Sequence, residues 1–151
     1  MNSAPRYALS IRAPWAYLIA EGFKHFENRD WTPDYPSRKM LSEVGWKPKP
    51  PLPFYIHAGG SFTKADYIEA LRVVAQVNQF RVSRKQPPIV MPAASELLTG
   101  GIIGQAEATF WHDTPPQMPF AFGSGFTMRN AKRLPFRPCK GHLGFFHISS
   151  L

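Results

Sequence analysis

The stretch "YALSIRAPWAYLIAEGFKHFENRDW", residues 7–31, holds the start of a fold and a cluster of polar side chains in one continuous segment. "YALSI" is short and apolar, as expected of a strand that is buried on at least one face. Pro14 suits the first turn of a helix and Gly22 suits a C-terminal cap, so the residues between them predict a short helix. The sequence therefore begins with a strand, a helix and then an extended polar segment near Lys24.

This polar segment is either a solvated turn or a site. In an extended chain, successive side chains point to opposite faces, which places Lys24 and Glu27 on different faces. The two residues therefore share a site only if the chain turns or bulges between them.

The rest of the chain alternates apolar runs with loops. Residues 33–53 carry many prolines and several basic residues, which predicts a surface loop, and a loop of this length is usually functional or mobile. Residues 63–80 have apolar side chains at helical spacing, with Thr63 as a suitable N-cap, and predict the most clearly marked helix. Shorter elements are predicted as strands within residues 54–60, 100–111, 123–136 and 142–149, and as a helix within residues 94–100.

The number and order of these elements predict an α+β fold: a small, mixed, barrel-like sheet of five or six strands with two or three helices. The 151 residues are 44% hydrophobic, which is enough for one domain, residues 1–151, with a core that needs no disulfide or metal. Cys139 is the single cysteine, which fits a reducing, cytoplasmic setting. No run approaches the roughly twenty apolar residues that span a bilayer, and the first residues do not read as a secretion signal, so no membrane partner is predicted.

The charge balance favours a polyanionic partner. The formal net charge is +8 and the sequence pI is near 9.9. No acidic residue follows Asp113, whereas five basic residues do: Arg129, Lys132, Arg133, Arg137 and Lys140. This pattern predicts a basic surface on a folded part of the chain, and the alternative is charge that serves solubility alone.

Motifs of common enzyme classes are missing. The five histidines are scattered, and none forms a helical pair with a carboxylate, so no metal site is predicted. "GSGF" lacks the frame of a nucleophile elbow, "GGIIGQ" lacks the context of a dinucleotide loop, and there is no Walker lysine. The sequence therefore predicts no cofactor.

The order of four blocks resembles a known family. These blocks are "LSIRAPWAYLIAEGFKHFENRDW", "FYIHAGG", "GGIIGQAEATFW" and "GFTMRNAKRLPFRPCKGHLGFF". Together they resemble the ASCH family of PUA-like small barrel domains, from about residue 8 to about residue 148, including its G-x-K-x-x-E-x-R signature at Gly22, Lys24, Glu27 and Arg29. The resemblance implies RNA or nucleotide binding in a pocket beside the barrel.

Some members of this family act on nucleic acids, as amidohydrolases of N4-acetylcytidine or as ribonucleases. By resemblance to the amidohydrolase branch, Lys24 matches the catalytic lysine and Glu107 matches a glutamate on a later strand. Glu27 stands where that branch has a threonine, so this chain departs from its catalytic set. A lysine beside a carboxylate can shuttle a proton at neutral pH, and the alternative is a salt bridge that closes the barrel.

Further residues are candidates for binding. A carboxylate such as Glu27 can read a cytosine amine, and Arg29 can hold a phosphate, although the two can equally pair with each other. The other candidates are Ser10 and Arg12 at the end of the first strand, Trp15 and Trp31 for base stacking, His57 at a strand end, and Arg133 and Arg137 on the basic surface. For Trp15, which follows Pro14 at a helix start, packing in the core is the alternative role.

Three functions remain open from the sequence. The leading hypothesis is binding of RNA or a nucleotide in a basic cleft, and the alternative is a hydrolase acting on RNA or a modified nucleoside in the same cleft. A module that binds an acidic protein partner is the third. The oligomeric state is left undetermined.

Overall fold

The computed structural model describes residues 4–30 and 51–148. The predicted loop at residues 33–53 lies outside these residues, except for its last three positions. No helix in the described ranges is long and apolar enough to cross a membrane. The elements in chain order are β1 (Tyr7–Ile11), α1 (Ala13–Ala20), β2 (Phe26–Asn28), β3 (Leu52–Ala58), α2 (Lys64–Ser83), a 3₁₀ turn (Ala94–Glu96), β4 (Gly101–His112), β5 (Gly125–Pro138) and β6 (Phe145–His147).

The six strands form one mixed sheet in the order β2-β5-β4-β3-β1-β6. β1 and β3 run parallel, and the other neighbouring pairs are antiparallel. β4 and β5, with 12 and 14 residues, are much the longest strands and form a hairpin. In the parallel pair Ser10 lies opposite His57, which brings two predicted site residues together.

The α+β class, the strand number and the helix number agree with the prediction, with the third, short helix reduced to a single 3₁₀ turn. The predicted closure into a barrel is not found in the described residues, where the sheet is open with β2 and β6 at its edges. Each of these edge strands has only three residues. A ladder between them would add few hydrogen bonds, which gives a physical reason for the open edges.

The end of α1 directs the chain into the site. Gly22 has a φ of 82°, a left-handed conformation that glycine adopts without steric penalty. The backbone N–H of Phe23 donates to the carbonyl of Leu18 and that of Gly22 donates to Ile19, which is the hydrogen-bond pattern of a Schellman cap. Phe23 also packs against the apolar cluster that contains Leu18. The predicted glycine cap is thereby confirmed, and it turns the chain sharply just before Lys24.

The second helix is also capped as predicted. The Thr63 hydroxyl accepts from the Asp66 N–H at 3.1 Å, and the Asp66 carboxylate accepts from the Thr63 N–H at 2.8 Å. This reciprocal capping box satisfies two of the N–H groups that a helix start leaves free. α2 buries a narrow face, Ala70, Val73 and Val74, against α1 and its neighbours.

The main core lies between one face of the sheet and α1. Leu9, Phe54 and Ile56 are fully buried there. Phe54 makes edge-to-face contacts with Phe126 and Phe145, with ring centroids 6.0 and 5.5 Å apart. Because strand side chains alternate, Ser10 and His57 lie between these core positions and do not join the core cluster.

Candidate functional site

A cleft of about 890 Å³ lies where the ends of β1, β2 and β3 meet the segment around Gly141. Seven of the residues predicted for the site line it: Ser10, Arg12, Trp15, Lys24, Glu27, Arg29 and His57. Four of them lie in β1, α1, β2 and β3, one in each element, and the other three lie in the segments next to these elements. The fold therefore collects most of the predicted set into one depression.

An ionic cluster of Lys24, Glu27 and Arg29 forms one wall of the cleft. The Lys24 amine donates to Glu27 Oε1 at 3.0 Å and also to the backbone carbonyl of Phe26. Arg29 Nε donates to Glu27 Oε2 at 2.9 Å, and its Nη2 donates to the backbone carbonyl of Ser10 at 2.9 Å. One carboxylate therefore joins two cations, and Arg29 ties the cluster to β1.

The turn after α1 explains how Lys24 and Glu27 meet. Regular alternation would have placed them on opposite faces, but β2 begins only at Phe26. Lys24 precedes the strand, and its backbone N–H is still held by the carbonyl of Leu18 at 3.0 Å. The side chain can therefore fold back over the first residues of β2 and reach the carboxylate.

Two members of the cluster are almost completely enclosed, with relative exposures of 2% for Lys24 and 6% for Glu27, whereas the Arg29 side chain is 18% exposed. Burial lowers the pKa of the Lys24 amine below its ordinary value, against the opposing attraction of Glu27. Burial acts to raise the pKa of the Glu27 carboxyl, but Lys24 and Arg29 together outweigh it, so that this pKa lies below its ordinary value. Glu27 is therefore ionised at neutral pH.

A second polar arrangement lies beside this cluster. Ser10 Oγ is 3.1 Å from His57 Nδ1, and His57 Nε2 is 2.8 Å from the backbone carbonyl of Cys139. His57 is only 1% exposed. Gly141 packs against the pair so closely that a Cβ on it would lie 2.5 Å from His57 Cε1. The segment around Gly141 therefore covers the imidazole and requires a residue without a side chain.

Arg12 and Trp15 lie on the side of the cleft near α2. The Arg12 guanidinium pairs with Asp66 at 2.7 Å and remains 65% exposed. Trp15 is half-buried, packs against both apolar clusters, and has its ring centroid 5.9 Å from the Lys24 amine. Trp15 thus takes the core-packing role that the sequence left open, while part of it still lines the cleft.

Sequence reasoning missed several residues of this site. Asn28 holds the segment that contains Phe120 and Phe122 in place. Its side chain donates to the carbonyl of Phe120 at 2.7 Å and accepts from the N–H of Phe122 at 2.8 Å. Phe122 and Leu143 line the cleft with exposed fractions of 60% and 84%. The sequence signal that could have identified Phe122 and Leu143 is a large apolar residue in a polar loop that contains glycine.

Glu107 does not join Lys24 as predicted. Its carboxylate accepts from Arg129 Nε at 3.0 Å and from the Asn130 side chain at 2.7 Å, and it is not among the described residues lining the cleft. The reason is the pleat of β4: Ala106 and Ala108 face the core, so Glu107 faces away and meets Arg129, its register partner on β5. Glu27 is the carboxylate that partners Lys24.

The other predicted residues lie elsewhere. Arg133 pairs with Glu21 at 3.3 Å beside α1, and Arg137 lies exposed on β5 opposite Ile102. Neither arginine is among the described residues that line the cleft. The basic surface predicted for the C-terminal part is thus an exposed strand of the hairpin, away from the cleft lining. Trp31 lies outside the described residues.

The described residues contain no group of three or more histidine, cysteine, aspartate or glutamate side chains placed to hold a metal ion. No protein-family model matches the chain, and no curated protein is significantly similar to it.

Proposed function

We propose that this chain is an ASCH-type, PUA-like domain that binds RNA, or a nucleotide-sized part of it, in the cleft. The single observation that carries the proposal is the enclosed Lys24–Glu27–Arg29 cluster on the wall of a cleft large enough for a nucleotide. Buried charges are expensive unless they are paired, and functional sites are where proteins retain them. The family resemblance of the same three residues points to the same place.

The charges of the cleft favour recognition of one nucleotide over a long run of phosphates. The buried cluster contains two cations and one carboxylate, which gives a net charge of +1 at its wall. Of the other charged residues that line the cleft, Arg12 pairs with Asp66 and Glu69 pairs with Arg72. β5 contains four basic residues and no acidic residue, and this charge adds a long-range attraction for a polyanion.

Apolar side chains provide a surface for a base. Phe122 and Leu143 stand exposed at the cleft, and Trp15 contributes part of its ring. Unpaired bases stack on such side chains, and each stacked base contributes about 1–3 kcal/mol.

The test is binding of a short fluorescent single-stranded RNA, followed by anisotropy, with Phe122→Ala and Phe110→Ala compared. Phe110 is the matched control, because it is similarly exposed at 48% but lies on β4 and is not a lining residue. Phe122→Ala should weaken binding by about 5- to 150-fold, the equivalent of one lost stack, and Phe110→Ala should not. Affinity should also fall as salt rises, because phosphate contacts release counterions.

Equal affinity of the two phenylalanine variants would contradict the cleft as the binding site. If the wild-type protein binds neither RNA nor mononucleotides, the binding function itself is wrong.

A second candidate is hydrolysis of RNA or of a modified nucleoside in the same cleft. The observation that favours it is the lowered pKa of the Lys24 amine, whose burial moves it towards the range of a general base or acid. Glu27, at 3.0 Å, takes the place that the sequence gave to Glu107.

Mass spectrometry of a short RNA carrying N4-acetylcytidine tests this candidate with wild type, Lys24→Met and the exposed control Lys85→Met, which lies outside β5 and does not line the cleft. Loss of acetyl or a strand break should occur with wild type and the control but not with Lys24→Met. Full activity of a folded Lys24→Met protein would exclude Lys24 as the catalytic group.

A further inference from the structure

The pair Ser10 and His57 has a geometry that the proposed binding function does not use. We infer that Ser10 is a hydroxyl nucleophile towards carboxylic esters that enter the cleft, with His57 as its general base. Their Oγ to Nδ1 distance of 3.1 Å is within the range found between activated nucleophiles and their bases. The inference goes beyond nucleotide binding, and the two can fail independently.

The carbonyl of Cys139 fixes the imidazole of His57 in one tautomer. A carbonyl oxygen can only accept a hydrogen bond, so in the neutral ring Nε2 must carry the proton across the 2.8 Å contact. Nδ1 is then left with its lone pair, and it must accept from the Ser10 hydroxyl. The hydroxyl, the imidazole and an orienting acceptor therefore follow the order of a nucleophile, its base and the group that positions the base.

Access to the two residues differs in the way that this role requires. Both residues line the cleft, but His57 is only 1% exposed whereas Ser10 is half-buried, so the Ser10 hydroxyl is the more accessible of the two. The backbone of Gly141 closes over the imidazole, and a Cβ there would lie 3.0 Å from Ser10 Oγ. The absence of a side chain at Gly141 keeps space at the hydroxyl open, so that Ser10 is the atom a substrate meets.

The reaction balances without a cofactor. Ser10 Oγ forms a bond to the ester carbonyl carbon while its proton passes to His57 Nδ1, and the bond to the leaving alkoxide then breaks. The imidazolium returns that proton to the alkoxide, which departs as the alcohol. Water repeats the sequence on the acyl-serine, releasing the carboxylic acid and restoring the hydroxyl.

The competing explanation is a cross-strand hydrogen bond that only satisfies two polar side chains. The two explanations differ in the reactivity of Ser10. A fluorophosphonate probe measures it directly: the Ser10 Oγ–P bond forms, the P–F bond breaks, fluoride leaves and His57 takes the proton. Peptide mapping by mass spectrometry then gives the labelling rate of each serine in the full chain.

Ser83 is the internal control, because it is exposed and its hydroxyl only donates to the carbonyl of Phe80. Ser10 should label at least about 100-fold faster than Ser83, the lower range of what a positioned base contributes. His57→Gln, checked by its melting curve, should reduce labelling of Ser10 to the level of Ser83. Hydrolysis of p-nitrophenyl acetate should pass through an acetyl group on the Ser10 peptide and should be lost in Ser10→Ala.

Equal labelling of Ser10 and Ser83 in the wild type would overturn the inference, and so would a folded His57→Gln protein that labels at the wild-type rate. The wild-type comparison decides the matter even if His57→Gln fails to fold. RNA binding by the wild-type protein, measured beside its labelling, separates the two proposals. If RNA binds but Ser10 is not labelled, the binding proposal is retained and the nucleophile is rejected. If Ser10 is labelled but no RNA binds, the nucleophile is retained and the binding proposal is rejected.

Discussion

Replacing Glu27 by glutamine removes the carboxylate that Lys24 and Arg29 share. Lys24 and Arg29 each donate to this carboxylate, at 3.0 and 2.9 Å, and the Lys24 and Glu27 side chains are 2% and 7% exposed. The enclosure means that solvent screens this cluster little. A glutamine of the same shape keeps one acceptor oxygen but no charge, so the Lys24 amine stays buried beside a neutral partner.

The size of the effect follows from these contacts. A hydrogen bond to a charged group contributes about 1.5–3 kcal/mol, and breaking a buried ion pair by removing one partner costs about 3–5 kcal/mol. Glu27→Gln should therefore lower the free energy of unfolding by about 3–5 kcal/mol. Lys24→Met should cost less, about 1–3 kcal/mol, because Glu27 keeps its bond to Arg29.

The same contacts predict that Lys24→Met changes the stability in opposite directions in the wild type and in the Glu27→Gln background. In the wild type, Lys24→Met removes a compensated cation and is destabilising. In the Glu27→Gln background, it removes an uncompensated cation and should recover part of the lost stability. Urea unfolding followed by circular dichroism, with unchanged dependence on denaturant across the four proteins, gives the required free energies.

Two results would refute this reasoning. One is a cost below about 1 kcal/mol for Glu27→Gln, which is the range of exposed ion pairs. The other is destabilisation by Lys24→Met in both backgrounds, which would mean that packing of the lysine stem, and not its charge, is what the protein requires.

Three further predictions concern the pH dependence, the site cover and a helix cap. The pKa of Glu27 is lower in the folded protein than in the unfolded chain, so the stabilisation by Glu27 is complete above the unfolded value of about 4.3 and is lost as the pH falls through the folded value. The melting temperature should therefore fall less steeply between pH 7 and 3 in Glu27→Gln than in the wild type. Parallel slopes of melting temperature against pH would contradict this prediction. Gly141→Ala should displace His57 and lower the free energy of unfolding by about 1–3 kcal/mol in a urea titration. Gly123→Ala is the control, because no atom lies within 4 Å of the added Cβ, and it should have little effect. Equal effects of the two substitutions would contradict the close packing of Gly141 against His57. Thr63→Ala should cost about 0.5–2 kcal/mol by removing the cap of α2, and an unchanged urea midpoint would show that the capping box contributes nothing.

The sequence predicted the local elements well, because their determinants lie within a few residues. The helix end at Gly22 and the helix start at Thr63 rest on a backbone conformation and on a cap, and both are found where the residues indicated. The strands also follow from short apolar runs. These local interactions do not depend on the rest of the chain, so the elements can be predicted from short segments alone.

The candidate site was predicted in part for the same reason. Lys24, Glu27 and Arg29 lie within six consecutive positions and were proposed as a unit, with the condition that the chain turns between the first two. The structure supplies that turn through the cap of α1. Glu107 was assigned to the site by resemblance, and the pleat of β4 places it against Arg129 instead.

By itself the sequence determined the α+β composition of the chain, the caps of its helices and the position of its charged signature. Only the tertiary structure decided that the sheet stays open, that Glu27 compensates two cations, and that Ser10 meets His57, 47 positions further along the chain. The physical reason is that a cap or a strand run is stabilised by neighbours in sequence, whereas these partnerships depend on strand register and strand order. Register and order are settled by the packing of the whole core, and no short segment contains that information.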